Sequence, residues 1–169
     1  MGNLYLQQNY LNPSRYISGR IVEYDLKAAN ISSLRSGNFI TQEDYEYLFN
    51  LPKIQREVEI GLRIKKDKSV YDNIQKGIKY AKKLLIESNN ISDDNIIRIA
   101  NDAVYVNSVI DLPYTIFGDY LKFIKKSESN VFVNLESPIL FLGFREDGNI
   151  NVDFKNINQN ILYLHEDYM

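Results

Sequence analysis

Two aspartates stand where carboxylates can do chemistry. Asp25 ends the run Arg20-Ile21-Val22-Glu23-Tyr24-Asp25-Leu26. The run reads as a strand, with Ile21, Glu23 and Asp25 on one face and Val22, Tyr24 and Leu26 on the other. Asp102 falls in the break of Ile96-Ile97-Arg98-Ile99-Ala100-Asn101-Asp102-Ala103-Val104-Tyr105-Val106. Ile97 and Ile99 alternate before that break, and Val104 and Val106 after it. This is the pattern of a tight hairpin with one buried face, since Asn and Asp tolerate the positive φ such turns demand. Two-metal phosphoryl transfer needs at least two carboxylates bridging a pair of Mg²⁺ ions about 4 Å apart. Mg²⁺ prefers hard oxygen ligands and keeps several waters, so two or three carboxylates are enough. A strand end and a hairpin tip are stiff enough to hold them. Each residue also has a plainer reading: Asp102 as turn chemistry, and Asp25 as a cap for the Ala-rich turn that follows.

The elements positioning these residues follow from patterning. Asn12-Pro13-Ser14 is a turn signal in an otherwise irregular segment, 1–19. After the Asp25 strand, residues 27–35 have Ala-rich helical character, ended by Gly37 or Asn38. Thr41-Gln42-Glu43-Asp44 is a helix start, an N-cap hydroxyl with acids in the first turn. Tyr45, Leu48 and Phe49 supply its apolar stripe. Leu51-Pro52 breaks that helix and Pro52 opens the next, in which Ile54, Val58 and Leu62 recur at helical spacing. Ser69 with Asp72 reads as a capping pattern before a long helix. Val70, Ile74, Ile78, Ala81 and Leu85 mark one face of it, and Lys76, Lys79, Lys82 and Lys83 the other. Past the hairpin, Ile116, Phe117, Tyr120, Leu121 and Ile124 fit a short helix ending at Lys125-Lys126. Strands are expected at 131–135, 139–144 and 149–154, with Asp147-Gly148 as a hairpin turn, and a further one at Ile161–Leu164. The order is strand, helices, hairpin, helix, strands. It reads as α+β, with helices packed on one face of a largely antiparallel sheet.

Bulk composition narrows the classes. A chain of 169 residues suits one domain able to bury its own core. The net charge is −2, so no global basic field announces a nucleic-acid binder, although a local basic face remains open. With no cysteine, disulfides, thiol catalysis and thiolate metal sites are excluded, and a reducing cytoplasm is compatible with that. No apolar run approaches the roughly 20 residues that span a bilayer, so no membrane partner is expected. Richness in Asn, Ile, Lys and Tyr points to an AT-rich genome, that of a low-GC bacterium or its phage.

Tyr24-Asp25-Leu26-Lys27-Ala28-Ala29-Asn30-Ile31-Ser32-Ser33-Leu34 resembles the first palm motif of family B DNA polymerases. There an Asp ends a strand and a Ser follows seven residues on, here Asp25 and Ser32. Ala100-Asn101-Asp102-Ala103-Val104-Tyr105-Val106 resembles the second palm motif, a β-hairpin whose second Asp falls on Asp102. The resemblance spans roughly 20–144 and implies a palm-like core, leaving 145–169 as a C-terminal hairpin and tail. It implies that Asp25 and Asp102 are catalytic and hold Mg²⁺. Ala100 replaces the motif's first Asp and Ala103 its Ser, and the triphosphate-gripping helix of the family has no match. Arg56, Arg63, Lys76 and Lys79 are candidates for that grip by type, and Lys76, Lys79 and Lys83 with Arg56 for contact with phosphate.

Three functions are therefore carried forward. The first is a metal-dependent nucleotidyltransferase-like protein acting on or binding DNA or a nucleotide. The second is a non-catalytic phage or bacterial accessory or inhibitor that works on a host protein. The third is a nucleic-acid-binding subunit without chemistry. His165, the one histidine, and Asp93-Asp94 read as surface and loop residues, and the oligomeric state is left open.

Overall fold

The computed structural model describes residues 4–155. Its spine is the strand that carries Asp25. That strand, β2 (Tyr16–Leu26), begins four residues before Arg20, after a short strand β1 (Tyr10–Leu11) in the segment read as irregular. Four helices follow: α1 (Ala29–Ser36), α2 (Gln42–Asn50), α3 (Lys53–Lys66) and α4 (Ser69–Ser88). The hairpin β3 (Ile96–Ile99) and β4 (Ala103–Asn107) comes next. The chain then runs through β5 (Ile116–Phe117), β6 (Leu121–Asn134), β7 (Ile139–Phe144) and β8 (Ile150–Lys155). All pairings are antiparallel, in the order β1-β3-β4-β2-β6-β7-β8 with β5 on β6. The α+β expectation therefore holds. The expected strand at Ile161–Leu164 lies outside the described residues.

The helices cover one face of the sheet. Val22, Tyr24 and Leu26 of β2 and Val104 and Val106 of β4 bury against Ile31 and Leu34 of α1 and Ile74, Ile78 and Leu85 of α4. Each such side chain contributes about 1.5–3 kcal/mol by leaving water. The other face carries a second cluster of Ile21, Ile97, Tyr105, Phe132 and Phe141. The hairpin is therefore buried on both faces rather than one. The cause is a curl in the sheet. The β2–β6 pairing has register shifts between Ser18 and Ile21 and between Glu23 and Tyr24, and such irregularities bend a ladder. The rings of Tyr105 and Phe141 then stack at 4.9 Å and close the second cluster.

Three local readings are corrected. Residues 121–124 are strand, not helix: Leu121 and Phe123 are buried while Lys122 and Ile124 are exposed, a period of two imposed by pairing with β2. The turn Asn101-Asp102 closes by the Ala100 N–H donating to the Ala103 carbonyl at 3.0 Å, and neither residue takes positive φ. The long helix is capped not by a Ser69–Asp72 box but by Asp67, whose Oδ1 accepts from the Ser69 N–H at 3.0 Å and from its hydroxyl at 2.7 Å. Thr41 does cap α2, accepting from the Asp44 N–H at 3.1 Å.

Candidate functional site: a cation-lined cleft at Asp25

Strand pairing brings the two aspartates' backbones together. Asp25 is the register partner of Ala103, and the Leu26 N–H donates to the Asp102 carbonyl at 2.8 Å. The side chains have different partners. Asp25 Oδ2 takes an ion pair from Lys126 Nζ at 3.3 Å, and its buried Oδ1 has no hydrogen-bond donor among the described residues. The carboxylate it meets is Glu23, two residues earlier on the same face. Burial raises the Asp25 pKa to about 7, with further upward push from Glu23 and a downward pull from Lys126. Burial also pushes Glu23 upward, but hydrogen bonds with Asp25, Ser127 and Tyr105 outweigh it and hold Glu23 below the usual range. The two carboxyls are pushed in opposite directions, so of the pair it is Asp25 that takes up a proton more readily. Ser127 donates its hydroxyl to Glu23 at 2.9 Å, and Arg98 donates to the Tyr105 hydroxyl at 3.2 Å.

Among the described residues no group of three or more His, Asp or Glu is gathered to hold a metal ion. Lys126 already supplies the positive charge at Asp25. The Asp102 carboxylate acts instead on the charges of Lys82 and Lys126. Glu23, Asp25 and Lys126 thus form a carboxyl pair with a lysine against it.

Asp25 opens instead onto a cavity of about 560 Å³ at the end of β2. Its walls are the β2–α1 turn with Lys27 and Ala28, the start of α1, Phe49 of α2, the first turn of α3 with Lys53, Arg56 and Glu57, and Ile124–Lys126 of β6. Five cations face two acids, a local balance of opposite sign to the chain's net −2. Lys125 is engaged by Glu128 at 3.0 Å, and Glu57 by Asn30 at 3.3 Å. Among the described residues Lys27, Lys53 and Arg56 have no carboxylate within ion-pairing reach, and Arg56 Nε is buried without a hydrogen bond. Two helix starts also open here. α1 follows Ala28 in the left-handed region, φ 46°, and α3 follows Pro52; neither has a side-chain cap. Uncapped first turns present free N–H groups and the positive end of the helix dipole.

Of the expected phosphate-contact residues, Arg56 alone joins Asp25. Lys76 and Lys79 line a separate groove of about 390 Å³ with Gln8, Tyr71 and Asp72, and Lys83 lines neither. Lys82, expected on the wet face of α4, is 1 % exposed and donates to the carbonyls of Gln7 at 3.3 Å and Ala100 at 3.4 Å. Sequence reasoning missed Lys27, Lys53 and Phe49 as cleft residues. It misplaced Lys125-Lys126 at a helix end. The signal for Glu23 is the strand alternation, which sets it on the Asp25 face.

A family model described as Bacteriophage PBS1 gene 130 protein matches residues 1–169. The chain belongs to that family. A phage origin agrees with the AT-rich composition. Nothing in the match points to a polymerase palm, so that resemblance extends no further than its two short motifs. No curated protein matches the chain. Among the described residues no helix is long and apolar enough to cross a membrane.

Proposed function

We propose that this phage protein binds a phosphate-bearing ligand, a nucleotide or a nucleic-acid strand, in the cleft at the end of β2. The observation that carries this reading is the set of cations there, Lys27, Lys53 and Arg56, that no carboxylate among the described residues neutralises, beside two uncapped helix starts. A helix N-terminus with free N–H groups is a ready anion site. A guanidinium whose buried Nε has no partner among the described residues is set up for an oxyanion that takes its fork. Asp25 opposes this only weakly, because Lys126 pairs with it and burial raises its pKa, which cuts its negative charge as pH falls through neutrality. If the ligand reacts, the chemistry is nucleotidyl transfer, with Asp25 at the floor as the group that takes or gives a proton near neutral pH.

The test is calorimetric titration with inorganic tripolyphosphate. Wild type should bind in a salt-dependent manner. Arg56→Ala should weaken binding roughly tenfold or more, the loss of a charged hydrogen bond worth about 1.5–3 kcal/mol. Lys76→Ala with Lys79→Ala should change it little, since their groove is separate. Absence of binding, or equal losses in both variants, rejects the cleft. A binding module without chemistry uses the same cleft and differs only in the absence of turnover.

A second reading has its own observation. The stripe Ile54, Val58 and Leu62 on α3 is 80 %, 59 % and 51 % exposed. An apolar row left open on a helix suits an accessory or inhibitor protein that docks on a host protein. It predicts that serine substitutions along the stripe abolish partner capture and leave tripolyphosphate binding intact.

A further inference from the structure

The cleft holds one feature that phosphate binding does not need. Phe49, at the end of α2, lines the cavity and is 42 % exposed. Its ring is held by an aromatic ladder. It stacks on Tyr45 at 5.8 Å and 30°, and Tyr45 meets Tyr120 edge-on at 5.1 Å and 70°. The Tyr120 hydroxyl donates to Gln42 of α2, so the ladder is braced at its far end. Lys27 Nζ lies 5.8 Å from the Phe49 ring centre, which ties the ring to the cations of the cleft. A phosphate group alone would occupy a small part of about 560 Å³, a volume within the range of pockets that take a whole small molecule.

We infer that Phe49 is a stacking platform for a nucleobase, so that the cleft takes a nucleoside phosphate: base on Phe49, phosphates on Lys53 and Arg56. The inference rests on the phosphate-binding reading and specifies its ligand. Every base has a π-face, and stacking on an aromatic side chain is sequence-tolerant, so the platform selects nucleotides as a class without choosing among bases. The tethered ring adds little ordering cost on binding because Tyr45, itself packed on Tyr120, already holds it. Lys27 Nζ lies over the ring, so a base takes that face as the ammonium swings off it toward the phosphates.

The test compares two probes on the full chain: ATP, and inorganic tripolyphosphate of similar charge without a base. Wild type should bind ATP on the order of tenfold more tightly than tripolyphosphate. Phe49→Leu keeps an apolar side chain against Tyr45 and should erase that preference while leaving tripolyphosphate affinity unchanged. Phe49→Trp should restore or strengthen it. Equal affinities in wild type, or a preference that survives Phe49→Leu, overturns the platform and leaves the phosphate site standing. Failure of both probes to bind wild type overturns the phosphate site and the platform together. A fall in tripolyphosphate affinity with Phe49→Leu also overturns it, since the ring would then be shaping the anion site rather than holding a base.

Discussion

Two helices of this protein have nearly the same sequence signature and opposite fates. In α4, Ile74, Ile78 and Leu85 recur at helical spacing and are at most 2 % exposed. In α3, Ile54, Val58 and Leu62 recur at the same spacing and are more than half exposed. What turns α3 is its polar side. Arg63 forks onto Asp44 of α2, with Nη2 to Oδ1 at 2.8 Å, and the buried Ile60 sits one turn from Arg63 and one turn from Arg56. That row faces inward and carries Arg56 to the cleft. α4 is instead laid flat on the sheet and against α1, close enough that a Cβ on Gly77 would come within 2.4 Å of Ser33 Cβ. Periodicity identifies a helix and its faces. Which face is covered depends on partners elsewhere in the chain, and in α3 an ion pair and a cleft win over three aliphatic side chains.

The largest effect that would break this contrast is in α4. Ile78 is fully buried among β2, α1 and the hairpin. Ile78→Ala should cost about 2–5 kcal/mol, the lost transfer energy plus the cavity left behind. Urea unfolding followed by circular dichroism checks it. A loss below about 1 kcal/mol would mean that α4 is no better packed than α3.

Such contrasts show what was legible beforehand. The Ile96–Val106 hairpin, the Asp25 strand and the three helices from Thr41 onward were readable because each has a local signal: alternation, a capping threonine, a proline at a helix start. The start of β6 was not readable. Ile116, Phe117, Tyr120, Leu121 and Ile124 match a helical period, and only the long partner strand β2 converts that stretch to alternation. The cleft was half legible. Asp25 and Arg56 each stand out by type, but nothing local says that the first turn of α3 faces the end of β2. The lysine run on α4 drew equal notice and lies in another groove. Lys82 looked like its neighbours because its burial is created by Gln7 and Ala100, residues far from it in sequence.

Lys82 gives the next effect, and its sign separates α4 from an ordinary surface helix. Burial lowers its pKa to about 8, with Lys79 pushing the same way and Asp102 opposing. The value in the unfolded chain is about 10.4. A cation depressed in the folded state lends stability above the unfolded value, and that stability is lost as pH falls through the folded one. Wild type should therefore lose stability relative to Lys82→Met between about pH 10 and pH 8, by up to roughly 3 kcal/mol for a shift of this size. Below pH 8 the difference between the two should level off. Parallel stability curves across that window would show that the ammonium is solvated and that α4 has a wet side where Lys82 sits.

The smallest expected effect is the sharpest test of α3. Val58 stands in the middle of the open stripe and is 59 % exposed. Val58→Ala removes two methyl groups that meet mostly water and replaces a β-branched residue by the best helix former, so the two small terms oppose. Stability should move by no more than about 0.5 kcal/mol in either direction, against the several lost at Ile78. The same substitution should leave tripolyphosphate binding unchanged, because the Arg56 side of α3 is held by Arg63 and Asp44 rather than by the stripe. A destabilisation of about 2 kcal/mol would mean that the stripe is covered by something in solution. The open apolar row would then be an occupied interface, and the docking reading would gain the weight that the cleft reading now holds.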